Sequence, residues 1–243
     1  MFTFERRPLQ LNSRALLMIA GIAMIPFQAE ADENSLQGGL TVDRLEMQHS
    51  DVDHVDYHYW DADGWIGGDT NKLMLKTEGA HFKGSVTGVL TQLLYGRAIS
   101  ESWTLEAGAA QTGAPGPDLS WMTISAEGDL PLSIDSEWTL LWKNNQTWLK
   151  TGFETALPLN GSWKFIPKLE LSFYTKNDPA QQIGSGLSNA ELSLRIAYDF
   201  TKKVGGYVGY SRYQTFGNTA VQQSAGGNST YDNLLITGFM ISL

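Results

Sequence analysis

The chain has four histidines, and three of them, His49, His54 and His58, fall within ten residues beside Met47, Asp51, Asp53 and Asp56. The fourth is His81. Neutral imidazole is a common transition-metal ligand, and a thioether adds a soft donor. Cysteine is absent, so neither a thiolate site nor a disulfide framework exists. A metal reading therefore rests on His49, His54, His58 and His81, with Met47 and Asp51 assisting. The same residues would also serve as solvated polar groups of a short loop. A hydrolase reading is weaker. Ser50 and Ser85 stand near His49 and His81, but no third group is seen to orient such a pair. Gly184–Gly186 is Gly-Ser-Gly and lacks the Gly-x-Ser-x-Gly nucleophile elbow. No catalytic residue is assigned, and the chain is not read as an enzyme.

The elements that must position these residues are strands. Leu192, Leu194, Ile196 and Tyr198 alternate with Glu191, Ser193, Arg195 and Asp199. A period of two with one apolar and one polar face is a β-strand, and it recurs along most of the chain. Twelve such strands are expected, over residues 40–49, 53–61, 71–81, 85–97, 103–111, 119–129, 133–143, 147–157, 163–175, 189–200, 206–214 and 231–243. An even number of antiparallel strands, apolar outside and polar inside, describes a single closed transmembrane β-barrel. The start of the chain agrees. Arg6, Arg7 and Arg14 precede an apolar run from Ala15 to Phe27, and Ala29-Glu30-Ala31 offers a small-x-small cleavage site. Residues 1–31 are read as a cleaved signal peptide, residues 32–39 as a short periplasmic segment and residues 40–243 as the barrel. The run is shorter than the ~20 residues that a spanning helix needs. Export without a helical anchor leaves the periplasm, secretion or the outer membrane, and the barrel pattern selects the outer membrane of a Gram-negative bacterium. The net charge of −9 argues against nucleic acid as a partner and favours cations.

Alternation also assigns faces. Lys72, Met74, Lys76, Glu78, Glu106, Glu170, Glu191, Arg195 and Met240 are expected to line the lumen, because a charge on the lipid face at mid-membrane costs about 2–4 kcal/mol. Tyr95 with Arg97, and Tyr210 with Arg212, share a parity and are left unassigned. With both termini in the periplasm, the longest loops, residues 176–188 and 215–230, fall outside, and residues 62–70 form a periplasmic turn. His49 and His54 then flank the first outer loop, and His81 lies at the tip of the next outer hairpin. The parity of His54, Asp56 and His58 against Val55, Tyr57 and Tyr59 aims His54 and His58 into the barrel. A periplasmic β-sandwich is disfavoured by the outward apolar band on nearly every strand.

Four segments together resemble a known family. They are WDADGWIGGDTNKL (60–73) with the following Lys76–Gly79, LLYGRAISESWTLEAG (93–108), IPKLELSFYTKNDPAQQIGSGLSNAELSLRIAYDF (166–200) and FGNTA (216–220). In this order they are similar to the copper resistance outer-membrane protein B family (CopB/PcoB). The resemblance implies an outer-membrane barrel that binds copper ions and serves copper resistance and homeostasis. It also implies passage of copper across that membrane and cooperation with a periplasmic multicopper oxidase. Imidazole suits Cu(II) and thioether suits Cu(I). Departures from the family pattern are clear. Many members carry a Met/His-rich segment before the barrel, whereas Asp32–Gly39 has neither residue. The Gly-x-Arg-x-Asp motif is replaced by Gly108, Ala109, Ala110, Gln111 and Thr112, and the chain ends in Leu243 rather than an aromatic. The alternative is a narrow passive porin for small solutes with no specific copper role.

Overall fold

The computed structural model describes residues 36–83, 85–113 and 118–243. The expected signal peptide, residues 1–31, lies outside them. Among the described residues the chain forms β1 (Gln37–Ser50), β2 (Asp56–Gly67), β3 (Asn71–Phe82), β4 (Ser85–Ala98), β5 (Trp103–Gly113), β6 (Leu119–Leu130), β7 (Ile134–Lys143) and β8 (Gln146–Glu154). There follow β9 (Leu157–Pro158), β10 (Trp163–Tyr174), β11 (Gly186–Asp199), β12 (Val204–Thr215), the helix α1 (Gly217–Ala225) and β13 (Tyr231–Ser242). Neighbours in sequence pair antiparallel, and β13 pairs with β1, so the sheet closes. The two-residue β9 continues the line of β8, since both lie against β10. The result is a closed barrel of twelve staves.

Closure is what lets strands cross lipid, because every backbone N–H and C=O then has a partner within the sheet. The faces follow charge. On β11, Leu192, Leu194 and Ile196 are exposed to the outside, while Ser193 and Arg195 are buried within. On β7, Trp138, Leu140 and Trp142 face out, and Thr139 and Leu141 are buried inside. Tyr95 and Arg97 both lie outward near the terminal-side end of β4. Tyr210 and Arg212 lie outward near the loop-side end of β12, where both donate hydrogen bonds to Asn233 Oδ1 at 2.8 Å. Phenol and guanidinium tips at strand ends suit the headgroup level.

The second strand corrects the reading from sequence. Residues 62–70 are not a turn: β2 runs on to Gly67, and only residues 68–70 connect it to β3. Its faces are also reversed. Tyr59, Asp61 and Asp63 point inward, and His58 and Trp60 point out. Asp61 and Asp63 decide this, since lipid would tolerate neither. Tyr59 is kept inside by its polar tip, which donates to Glu78 Oε2 at 3.4 Å, and by the guanidinium of Arg44 over its ring at 4.7 Å. Trp60 instead covers Gly79 on the outer wall, where any Cβ would stand 2.6 Å from the indole. A register shift between Val42 and Arg44 puts a bulge at Asp43 and changes the parity of β1. That strand also begins at Gln37, ahead of the expected residue 40. The segment after β12, read as a plain loop, contains α1.

The barrel has no apolar interior of the usual kind. Ile166, Ala197, Tyr207, Leu234 and Ile236 form one small cluster on the inner wall, with Met240 packed against it. Leu90, Ala110, Trp121 and Leu141 form a second. Between them the lumen is crossed by ion pairs. Arg44 reaches Asp61 at 2.9 Å and Glu170 at 3.0 Å, and Lys76 reaches Glu127 at 2.7 Å and Glu106 at 3.0 Å. Lys150 pairs with Glu78. Arg195 reaches Glu46 at 3.1 Å, and Glu46 also accepts from Tyr207 Oη at 2.8 Å and Gln48 Nε2 at 2.6 Å. These bonds tie walls that are not neighbours, β1 to β10 and β11, and β3 to β5, β6 and β8.

Two expectations follow. Leu140→Lys, on the lipid face, should reduce the heat-modifiable folded form by about 2–4 kcal/mol in urea titrations of the refolded barrel. Gly152→Lys, which points into open lumen, should cost far less, and equal losses would contradict the face assignment. Arg195→Met strands the buried Glu46 and should cost about 3–5 kcal/mol, whereas adding Glu46→Gln should recover most of it. A double variant no more stable than the single would show that the pair does not act as a unit.

Candidate functional site

Ion pairs cross the lumen between two cavities. One, of about 310 Å³, opens toward the end that carries the chain termini and the short turns. Its wall holds Asp43, Asp61, Asp63, Glu127 and Asp129, and further round Asp135, Glu137, Glu154 and Glu170. Against these nine carboxylates stand three ammonium groups, Lys76, Lys150 and Lys168, and the thioether of Met74. Lys168 is shared, lying 3.9 to 4.0 Å from Asp61, Glu154 and Glu170. Such a low-dielectric vestibule with one dominant sign concentrates counter-ions. On this side Asp43 sits at the bulge of β1, Asp63 within β2, and Asp129 and Asp135 at the facing ends of β6 and β7.

The second cavity, of about 290 Å³, lies toward the end with the long loops. Its lining is different in kind. Trp148, Tyr174 and Tyr213 supply aromatic wall, and Gln181, Asn189 and Gln223 supply neutral polar groups. Trp148 and Tyr174 stack at 5.3 Å between ring centroids. Glu78 lines this cavity, while its partner Lys150 lines the other. The Glu78–Lys150 pair therefore stands in the wall that the two share.

Two long loops roof the second cavity. Thr219 of α1 is buried, its hydroxyl accepting from Gly184 N–H at 2.8 Å and lying 2.9 Å from Ser188 Oγ. Asn218 donates to Ser185 and Gln222 to the carbonyl of Ile183. Gly184 permits this approach: a Cβ there would meet the backbone of Asn218 and Thr219 at 2.2 to 2.3 Å. The Gly-Ser-Gly segment is thus a contact point for the helix.

The residues expected to line the lumen all turn inward: Lys72, Met74, Lys76, Glu78, Glu106, Glu170, Glu191, Arg195 and Met240. Lys72 lies over the Trp65 ring at 4.2 Å, and Glu191 accepts from Ser211 at 2.7 Å. Met240 packs in the apolar cluster. The histidines fare differently. His49 and Met47 are on the outer face of β1, and His49 Nδ1 lies 2.8 Å from Asp56 Oδ1. His54 sits in the exposed loop before β2 with φ of 53°, a left-handed turn position. His58 faces outward, contrary to expectation, for the parity reason given above. Asp51 is exposed, its N–H donating to the carbonyl of Asn233 at 2.9 Å. Ser50 turns inward to Asp232, away from His49. The strand pairing brings Met47 opposite His58 and His58 opposite His81. Among the described residues no group of three His, Cys, Asp or Glu side chains is placed to hold a metal ion. The sequence reading overlooked Arg44, Glu46, Asp61, Asp63 and Lys150. Charged residues in a single parity register were the available signal.

Comparison with known proteins agrees with this architecture. The family described as "Copper resistance protein B precursor (CopB)" matches residues 36–242. A copper resistance protein B homolog of Pseudomonas syringae pv. tomato is 34% identical over 79% of this chain and 65% of its own length. Copper resistance protein B of Escherichia coli is 30% identical over 82% of this chain and 67% of its own. The chain thus spans about two thirds of the relatives' length. Among solved structures, the NanC porin superposes with a TM-score of 0.55 over 84% of this chain and all of its own, at 10% identity, a likeness of fold alone. With these matches over the whole barrel, the chain belongs to the copper resistance protein B family, as a barrel of the outer membrane.

Proposed function

We propose that this barrel binds copper cations in its acidic vestibule and passes them across the outer membrane. The observation that carries the reading is the charge of that cavity, nine carboxylates against three lysines, with the Met74 thioether in its wall. Carboxylates draw any cation, and the thioether favours a soft one such as Cu(I). The vestibule would face the periplasm, since the chain termini and short turns lie at its end, and outer-membrane barrels keep short turns there. The leader at residues 1–31 would deliver the chain to that compartment. A periplasmic multicopper oxidase, the partner the resemblance implies, would meet the barrel at this mouth. The Glu78–Lys150 pair would act as the barrier between vestibule and outer cavity. It disfavours a wide passive pore. No step in this reading needs catalysis.

Three outcomes test it. In liposomes containing the refolded barrel, Asp63→Asn with Asp129→Asn and Asp135→Asn should lower copper entry by roughly tenfold, the scale of electrostatic focusing, and leave a neutral pentose unaffected. Equal loss of both fluxes, or of neither, would sink the vestibule reading. Removing both halves of the barrier, Glu78→Ala with Lys150→Ala, should raise single-channel conductance in planar bilayers. An unchanged conductance would place the barrier elsewhere. A tag between Gly227 and Asn228 should be labelled on intact cells; labelling only after the outer membrane is broken would invert the orientation.

A further inference from the structure

Outside the lumen, three side chains make a row on the outer wall. Met47 of β1 stands directly opposite His58 of β2, and His58 stands opposite His81 of β3. Directly paired residues of antiparallel strands share a face, with Cβ atoms about 4.5–5.5 Å apart. All three therefore project outward, at the loop-side ends of their strands. Trp60 and Gly79 form the next row toward the membrane interior. The row thus lies at the margin of the lipid belt, where an indole marks the interface and water still reaches.

We propose that Met47, His58 and His81 form a binding site for one soft monovalent cation, Cu(I) or Ag(I), on the outer surface of the barrel. The spacing supports it. The His58 and His81 ring centroids are 6.3 Å apart. Metal–nitrogen bonds of about 2 Å place two imidazoles on opposite sides of one ion with centroids about 6 Å apart. Met47 shares this outer face directly opposite His58, and its flexible, unbranched side chain is the soft donor on β1 that can bend over the imidazole toward the ion. Two imidazoles and a thioether carry no charge when unprotonated, and they select a soft ion over the oxygen-seeking Ca²⁺ and Mg²⁺ that bind the same cell surface.

Competing uses of these groups are few. Among the described residues, neither the His58 nor the His81 ring is held by an ion pair or a hydrogen bond, whereas His49 is engaged by Asp56. Their alignment also needs no movement of the backbone, because the register of β1, β2 and β3 fixes it. A structural role is less fitting. A lipid-facing wall gains more from apolar side chains at these places, such as Leu45 and Trp60 on the next row and Leu75 further down. The site does not rest on the vestibule reading, since it shares no residue with that cavity. Its natural ligand would be copper outside the cell, held before entry or kept from it.

The test uses the refolded full barrel in detergent, titrated with Cu(I) under ascorbate against a chromophoric Cu(I) chelator, and separately with Ag(I). The wild type should hold one equivalent more than His58→Ala/His81→Ala. Met47→Leu, which keeps an apolar side chain on the outer face, should weaken that equivalent by tenfold or more. X-ray absorption of the wild type loaded with one equivalent should show two imidazole nitrogens and one sulfur, and Met47→Leu should remove the sulfur. His54→Ala should change nothing. The triple Asp→Asn vestibule variant should keep the rim equivalent, so failure of the two proposals can be told apart. Identical stoichiometry and affinity in wild type and the double His variant would overturn the site, as would a wild-type metal shell without sulfur.

Discussion

Lipid does not accept charge, and this chain obeys that limit strand by strand. Once the sheet closes on itself, its polar faces have only the lumen to occupy. A mid-membrane charge turned outward would cost about 2–4 kcal/mol, and the strands carry far more such groups than the molecule's stability could absorb. The interior is therefore crowded with Arg, Lys, Asp and Glu. Crowding in turn forces pairing, because a buried charge left alone is expensive. Arg44, Lys150 and Arg195 each bond to carboxylates on other strands, and in doing so they join walls that are distant in sequence.

Acids exceed bases, so pairing cannot be complete. The surplus collects where water can reach it, in the vestibule at the terminal end. The second cavity has only Glu78 as a charged lining residue and is walled by aromatic and amide side chains beneath a roof of two loops. One lumen thus has two mouths of unlike chemistry. The division follows from where Asp43, Asp63, Asp129 and Asp135 fall on their strands, and it gives the barrel a direction. On the proposed function, a cation drawn to one end would exchange with Lys150 or Lys76 to go further.

Most of this order is written as simple alternation. The paired runs of β3, β7, β10 and β11 fix both strand and face, because their outward positions are mostly apolar and charges recur on the opposite parity. The reading failed at β2. Trp60-Asp61-Ala62-Asp63-Gly64-Trp65 looks like a turn, since Asp and Gly are turn residues. As a strand it places both aspartates on one face, and that face must be the lumen. Taking the tyrosines as lipid-facing then reversed His58, and His54 belongs to the loop before the strand. Tyrosine has an apolar body and a polar tip, so it settles on either face, and only the charged neighbours decide. The bulge at Asp43 was invisible for a related reason. One extra residue leaves composition unchanged and shows only as a change of parity between Val42 and Leu45. Contacts such as Thr219 with Gly184 depend on how two loops meet, which no local pattern records.

The account stands on an interior whose charge is dominated by carboxylates at one mouth. The most direct measurement is the reversal potential of single barrels in a planar bilayer under a tenfold KCl gradient. The account predicts a potential displaced toward the equilibrium value of potassium, with the larger displacement when the vestibule faces the dilute side, where screening is weakest. A potential at zero, or one displaced toward chloride, would contradict it.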